Sequence, residues 1–141
     1  MVWMGFSLGG LASARAALRA DRRRADRDSG VGSGRESYRN SVVAFSGAFK
    51  GVPEDPNPYD SERSWLHERL RETEGGLPHD WYLEVGSLEW LLEVNRRVAG
   101  SLSEHGANVV LRERSAGHNW TSWRNGLPDA LRFALGRRVA Q

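Results

Sequence analysis

The stretch Val2-Trp3-Met4-Gly5-Phe6-Ser7-Leu8-Gly9-Gly10 opens the chain with a short apolar run that passes directly into a glycine-rich turn. Residues 11–20 follow and are rich in Ala, Leu and Arg, which are strong helix formers. This order predicts a strand, a tight turn and a helix, with Ser7 in the turn.

The same alternation continues along the chain. Strands are predicted at residues 41–46, 81–85 and 109–111, and helices at residues 61–73 (with a cap at Ser61), 89–105 and 122–138. Alternating strands and helices predict a mostly parallel sheet with helices on both faces, a three-layer α/β fold. Functional side chains in such sheets lie just beyond the carboxyl ends of the strands, where Ser7, Glu89 and His118 are expected.

Composition places the chain among soluble globular domains. Its 141 residues are 27% charged and include no Cys, and 20 basic residues against 18 acidic ones give a net charge of +2. These values argue against a disordered chain or a disulfide-rich secreted protein, and no apolar run is long enough for a membrane span. We expect a cytoplasmic protein with one domain over residues 1–141, interrupted by a flexible insertion at residues 21–40, where Arg alternates with Asp before a Gly/Ser-rich segment.

Ser7 lies in the pattern Gly-x-Ser-x-Gly, the spacing of a nucleophile elbow. A serine in a strained turn between strand and helix needs small neighbours, because side chains at Gly5 and Gly9 would collide with the helix and the strand. The turn would expose the hydroxyl and direct helical N–H groups at the reaction site. The alternative is a glycine-rich turn without chemistry.

A serine nucleophile needs a base, which a third group must orient. His67, His79 and His105 are better explained as surface or capping residues, whereas His118 follows the last predicted strand in a loop. A serine hydrolase of this topology has its base there. The alternative is a loop histidine that caps the final helix.

The acid of such a site should follow the third predicted strand. Glu89 lies four residues after Val85, and the order Ser, Glu, His is the one this fold uses. Glu84 is a weaker candidate because it lies within the strand, and Asp80 would lie at the opposite edge of the sheet. Glu89 could equally be a first-turn helix carboxylate stabilised by the helix dipole.

These residues resemble the esterases related to enterochelin esterase, of the α/β-hydrolase superfamily. The resemblance rests on four stretches, with Trp123-Arg124 and Leu127 further on: Gly5-Phe6-Ser7-Leu8-Gly9-Gly10-Leu11-Ala12-Ser13, Ser46-Gly47-Ala48-Phe49, Glu84-Val85-Gly86-Ser87-Leu88-Glu89 and Gly117-His118-Asn119-Trp120. It covers nearly the whole chain except residues 21–40.

The resemblance implies Ser7 as nucleophile, His118 as general base and then acid, and Glu89 as the orienting carboxylate. It also implies that Leu8 lends its N–H to the oxyanion hole and that Arg124 either holds the histidine loop or meets an anionic substrate. Trp120 and Trp123 would pack around that loop. No metal or organic cofactor would be needed.

Proteins of this fold have four strands before the elbow, whereas Ser7 is the seventh residue here. We therefore expect the C-terminal half of an α/β-hydrolase, with the N-terminal strands and the second oxyanion donor absent. The first strand would then be an unprotected edge, open to self-association.

Two functions follow from these features. The first is a serine carboxylic-ester hydrolase that acts on a small-molecule ester through an acyl-enzyme, and the second is an inactive esterase remnant or interaction module. Nucleic-acid binding through the arginines of residues 15–39 is not expected, because Asp21, Asp26 and Asp28 interrupt them and the overall charge is nearly balanced. No membrane partner is expected either.

Overall fold

The computed structural model describes residues 1–28, 40–52, 54–57, 61–73 and 77–136, with residues 21–28 described through their backbone. Strands and helices alternate throughout, in the order β1 (Val2–Phe6), α1 (Leu8–Asp28), β2 (Ser41–Phe45), α2 (Trp65–Arg71), β3 (Asp80–Gly86), α3 (Leu92–Glu104), β4 (Asn108–Arg114) and α4 (Trp120–Gly136). All four predicted strand–helix pairs are confirmed.

The strands form one parallel sheet in the order β1-β2-β3-β4. Every residue of β2 and β3 is buried, whereas β1 and β4, at the edges of the described sheet, are mostly half-buried or exposed. Buried central strands of a parallel sheet have apolar side chains on both faces, which explains the continuous apolar runs that predicted them.

Helices cover both faces of the sheet, as predicted. The first three helices pack on one face, where Ala14, Val42, Leu70, Leu83 and Val98 belong to the larger apolar core. The last helix packs alone on the other face, and its residues Ala130 and Ala134 join Val43, Phe45 and Tyr82 in a second core. The result is a three-layer α/β sandwich.

The bounds of several elements differ from those predicted. The first helix runs to Asp28, eight residues into the segment predicted as a flexible insertion, because its Arg and Ala residues favour a helix even without an apolar face. The rest of that segment, residues 29–39, lies outside the described residues. Among the described residues, no helix combines the length and the apolar character needed to cross a membrane.

Two predictions for single side chains were wrong. The N-cap of α2 is Ser64, whose hydroxyl accepts a hydrogen bond from the His67 N–H, and the helix begins four residues later than predicted from Ser61. His79 is buried against Trp3 and Trp81 rather than lying at the surface. One of these two rings, Trp3, is distant in sequence, so local composition could not reveal the burial of His79.

Glycine is required at only one of the two positions predicted to flank Ser7. A Cβ at Gly5 would overlap the Gly9 carbonyl of α1, so a side chain there would push the helix away from the strand. A Cβ at Gly9 would meet no described atom within 4 Å, so the expectation that Gly9 avoids a collision is wrong for the described structure. The tight second position is Gly10, whose Cβ would lie 3.1 Å from that of Ala44.

We expect Gly5→Ala to lower the free energy of unfolding by about 1–3 kcal/mol or more, because backbone must move to accept the added methyl group. Gly9→Ala should raise it by up to about 1 kcal/mol, the helix propensity gained. Urea unfolding of both variants measures the difference. Equal effects of the two substitutions would contradict this geometry.

A buried carboxylate joins β3, β4 and α4. Glu84 accepts hydrogen bonds from the Tyr82 hydroxyl (2.8 Å) and the Arg114 Nε (2.7 Å), and Arg114 also pairs with Asp129 on α4 (2.9 Å). The close approach of α4 at this point depends on Gly126, because a Cβ there would overlap the Glu84 carboxylate. Burial, followed by the hydrogen bond and charge of Glu84, raises the pKa of Tyr82 well above its usual range.

This shift predicts a loss of stability at alkaline pH. Above about pH 10 the Tyr82 hydroxyl ionises in the unfolded chain while it stays protonated in the folded one. Stability should therefore fall by up to about 1.4 kcal/mol per pH unit from this group alone. Tyr82→Phe should be less stable at neutral pH but lose less with rising pH. Parallel stability curves for the two proteins in urea titrations would refute the assignment.

Candidate active site

Ser7 lies in the turn between β1 and α1 with a left-handed backbone (φ 52°), which is uncommon for a residue other than glycine. Hydrogen bonds hold this conformation: the Ser7 N–H donates to the Phe45 carbonyl (2.8 Å), and the Ser7 carbonyl accepts from Ala48 (3.1 Å) and Gly10 (3.0 Å). The turn is thereby fixed to the end of the neighbouring strand β2.

The His118 imidazole lies between Ser7 and Glu89. Its Nε2 is 3.1 Å from the Ser7 Oγ, and its Nδ1 is 2.7 Å from the Glu89 Oε2. A carboxylate only accepts hydrogen bonds, so Nδ1 carries the proton toward Glu89, and in the neutral imidazole Nε2 is free to accept from the Ser7 hydroxyl. The structure therefore brings all three predicted residues into one hydrogen-bonded chain.

Glu89 lies in the turn between β3 and α3, with its side chain fully buried. While Oε2 faces His118, Oε1 accepts hydrogen bonds from the Gly86 N–H (2.7 Å) and the Ser46 hydroxyl (2.7 Å). The helix itself begins only at Leu92, so Glu89 is not a carboxylate of its first turn. Its three partners compensate for the removal of the carboxylate from water.

Backbone hydrogen bonds hold the acid turn against the histidine loop. Ser87 donates to the Arg114 carbonyl (2.7 Å) and Leu88 donates to the Ala116 carbonyl (3.1 Å). The two segments approach so closely that a Cβ at Gly86 would overlap the Ala116 carbonyl. The distance between Glu89 and His118 is thus set by main-chain contacts at the carboxyl ends of β3 and β4.

Aromatic rings surround His118. Trp123 packs edge-on to the imidazole (centroids 5.0 Å apart, planes at 88°), and Trp90 packs at 4.9 Å. Phe6 contacts both Trp120 and Trp123. Trp90 and Trp120 are 56% and 60% exposed, and the His118 side chain itself is 19% exposed. Two exposed aromatic rings therefore lie beside His118 and Phe6 in the described structure.

The other predicted residues lie as follows. Leu8 is the first residue of α1, so its N–H lacks an acceptor within the helix, and its side chain is 58% exposed. Arg124 lies exposed on α4, where no hydrogen bond or ion pair joins its side chain to another described residue. Glu84, the weaker acid candidate, accepts hydrogen bonds from Tyr82 and Arg114 and does not contact His118 in the described structure.

The final helix is capped by Asn119, whose side-chain oxygen accepts a hydrogen bond from the Ser122 N–H (3.0 Å), and not by His118.

Sequence reasoning missed Ser46 and Asn95. Ser46 follows the end of β2 and joins Glu89 to Trp123, whose indole N–H donates to the Ser46 Oγ (2.8 Å). Its place just beyond a buried strand was the available signal. Asn95 is fully buried in α3 and donates to the Gly47 carbonyl (2.9 Å) and the Leu91 carbonyl (2.9 Å), so it holds the loop after β2. The apolar residues around Asn95 in the predicted helix gave no sign of this role.

Comparison with known proteins identifies this arrangement of strands and helices. The enterobactin esterase of Shigella flexneri matches with a TM-score of 0.72 and 22% identity, over 97% of this chain and 32% of that one. The ferric enterobactin esterase of Salmonella typhimurium has the same TM-score and identity, over 99% and 31%. A ferulic acid esterase matches with a TM-score of 0.64 and 20% identity, over 93% and 49%. The described strands and helices therefore have an α/β fold that matches part of these esterases, which are of the α/β-hydrolase type.

In sequence, the chain is similar to an acetyl esterase of Caldicellulosiruptor saccharolyticus, with 26% identity over 101 residues. That match covers 70% of this chain and 37% of the acetyl esterase. No family model matches the chain. The chain thus spans about a third of the length of the acetyl esterase and of the two enterobactin esterases.

We expect Asn95→Asp to lower the free energy of unfolding by about 3 kcal/mol or more. The substitution keeps the shape of the side chain but turns an acceptor toward the Gly47 and Leu91 carbonyls and buries a charge. Asn125→Asp, on the exposed surface of α4, is the matched control and should change stability by less than about 0.5 kcal/mol. Chemical unfolding measures both, and a tolerated Asn95→Asp would show that these two hydrogen bonds do not hold the loop.

Proposed function

We propose that this chain carries the reaction centre of a serine carboxylic-ester hydrolase, with Ser7 as nucleophile, His118 as general base and acid, and Glu89 as the orienting carboxylate. The observation that carries the proposal is the continuous hydrogen-bonded chain from the Ser7 Oγ through both imidazole nitrogens to Glu89. The similarity to enterobactin, ferulic acid and acetyl esterases supports the reaction class.

The proposed reaction begins when the Ser7 Oγ attacks the ester carbonyl carbon and its proton passes to the His118 Nε2. Glu89 stabilises the imidazolium through Nδ1–H. The tetrahedral intermediate collapses as the alcohol leaves with the proton from Nε2, and Ser7 keeps the acyl group. Water then attacks the acyl-enzyme as the His118 Nε2 takes its proton. Collapse of the second tetrahedral intermediate breaks the acyl bond to the Ser7 Oγ, which regains the proton from Nε2 as the carboxylic acid is released.

The turn around Ser7 would act as a nucleophile elbow in this reaction. Its left-handed backbone and the following helix support that role, because they expose the hydroxyl and leave the Leu8 N–H beside it as an oxyanion donor. Loss of one oxyanion donor typically costs on the order of 100- to 1000-fold in rate. We propose that a complete site includes a second donor outside this chain, as the greater length of the relatives allows.

The substrate we propose is a small-molecule ester with an apolar portion. The exposed rings of Trp90 and Trp120 lie beside His118 and Phe6, where they could cover one side of a bound acyl or alcohol group. We propose that Arg124, which is exposed on the helix that begins at Trp120, meets an anionic group of such a ligand.

A fluorophosphonate probe tests the proposal. We expect covalent labelling of Ser7 in the purified protein. Labelling should be abolished in Ser7→Ala, which lacks the reacting hydroxyl, and slowed by on the order of 10⁴-fold in His118→Ala. Ser13→Ala is the matched control, since Ser13 lies in the helix that follows Ser7 and its hydroxyl donates to the Gly9 carbonyl, and this variant should label as the unmodified protein does. If circular dichroism shows that the protein is folded and the probe still does not label it, the result would instead support the inactive remnant or interaction module.

A further inference from the structure

Ser46 has an unusual backbone conformation for a serine. Its φ of 48° lies in the left-handed region, which favours glycine, and its N–H donates to the Glu84 carbonyl (2.6 Å). Non-glycine residues persist in this region when surrounding contacts demand it. The next residue is a glycine, Gly47, and a glycine at position 46 as well would relieve this strain. What serine supplies at position 46 and glycine does not is the hydroxyl group.

The Ser46 hydroxyl makes two hydrogen bonds whose directions are fixed by chemistry. The indole N–H of Trp123 can only donate, so the Ser46 Oγ accepts from it at 2.8 Å. The Glu89 carboxylate can only accept, so the Ser46 hydroxyl hydrogen points to its Oε1 at 2.7 Å. The hydroxyl is buried and has both its donor and an acceptor position in use.

We propose that Ser46 is a positioning residue that fixes Glu89 and Trp123 on two sides of the His118 imidazole. By holding the Glu89 Oε1, it keeps the Oε2 aimed at His118 Nδ1. By holding the indole nitrogen, it keeps the Trp123 ring edge-on to the imidazole. The imidazole then has one orientation, with Nε2 toward Ser7.

This inference rests on the proposed function only for its effect on rate. Ser46 has no contact with the Ser7 hydroxyl among the hydrogen bonds of the site, so it acts through Glu89 and Trp123. Its removal should lower kcat and leave KM within twofold, because substrate does not meet it. We expect a loss in kcat of about 10- to 100-fold, the range typical of partners that orient a functional side chain.

Ser46→Gly and Ser46→Ala separate positioning from stability. Both lack the hydroxyl, but only glycine removes the strain of the left-handed backbone, so Ser46→Gly should be the more stable by about 1 kcal/mol. If Ser46 positions Glu89, the two variants lose the same kcat despite this difference. If activity instead follows stability, and Ser46→Gly keeps the full rate, the proposal is overturned.

Ser46→Thr supplies the conservative rescue. It retains a hydroxyl but adds a branch where the backbone is left-handed, so it should be less stable than Ser46→Gly and yet more active. Ser41→Ala is the matched control, because Ser41 is a buried serine at the opposite end of β2, and its kcat should equal that of the unmodified protein. A Ser46→Thr variant no more active than Ser46→Gly would count against the hydroxyl.

Trp123→Phe tests the hydrogen bond between Ser46 and Trp123 from its other side. It keeps a ring beside His118 but removes the N–H, so the double variant with Ser46→Gly should lose little more kcat than Ser46→Gly alone. Independent, additive losses would show that the two side chains do not act through their shared hydrogen bond.

Proton NMR distinguishes failure of this inference from failure of the proposed function. The His118 Nδ1 proton, bonded to a buried carboxylate, should exchange slowly with water, and Ser46→Gly should accelerate its exchange about 10-fold or more while Ser41→Ala leaves it unchanged. An inactive protein that shows this acceleration would refute the hydrolase and support the positioning role. An active protein whose Nδ1 proton and kcat are both insensitive to Ser46→Gly would refute the positioning role alone.

Discussion

The Glu89 carboxylate is buried without exposure to water, and burial of an unpaired charge would cost several kcal/mol. Three groups compensate for this cost: the Gly86 N–H, the Ser46 hydroxyl and the His118 Nδ1. Each comes from a different segment at the carboxyl edge of the sheet. Their convergence on one carboxylate fixes the position of that carboxylate, and the Glu89 Oε2 in turn orients the His118 imidazole toward Ser7.

The parallel sheet explains how segments so far apart in the chain can converge. The ends of all four strands lie at one edge, and the register pairs Phe6 with Phe45, Phe45 with Glu84, and Glu84 with Arg112. Each turn that leaves a strand therefore begins within reach of its neighbour. Main-chain hydrogen bonds between these turns then set the separations to within the tolerance that proton transfer needs.

The sequence was sufficient to predict the alternation of strands and helices, because apolar periodicity acts over short windows. It also predicted the meeting of Ser7, Glu89 and His118, because a parallel sheet brings the carboxyl ends of its strands to one edge. It was insufficient for Ser46 and for the burial of His79. Ser46 bonds Glu89 and His79 packs against Trp3, and each of these partners is distant in sequence. The helix α1 was also predicted to end too early. Its last residues include many arginines, which favour a helix but do not produce the apolar periodicity from which a packed helix is predicted.

The central claim of this account is that Glu89 holds the neutral His118 imidazole in the tautomer that leaves Nε2 free for the Ser7 hydroxyl. Long-range ¹H–¹⁵N correlation NMR on the uniformly labelled protein reports the tautomer directly. The account predicts that the neutral His118 imidazole carries its proton on Nδ1 and has an unprotonated Nε2. A proton on Nε2, or rapid averaging between the two nitrogens, would contradict it.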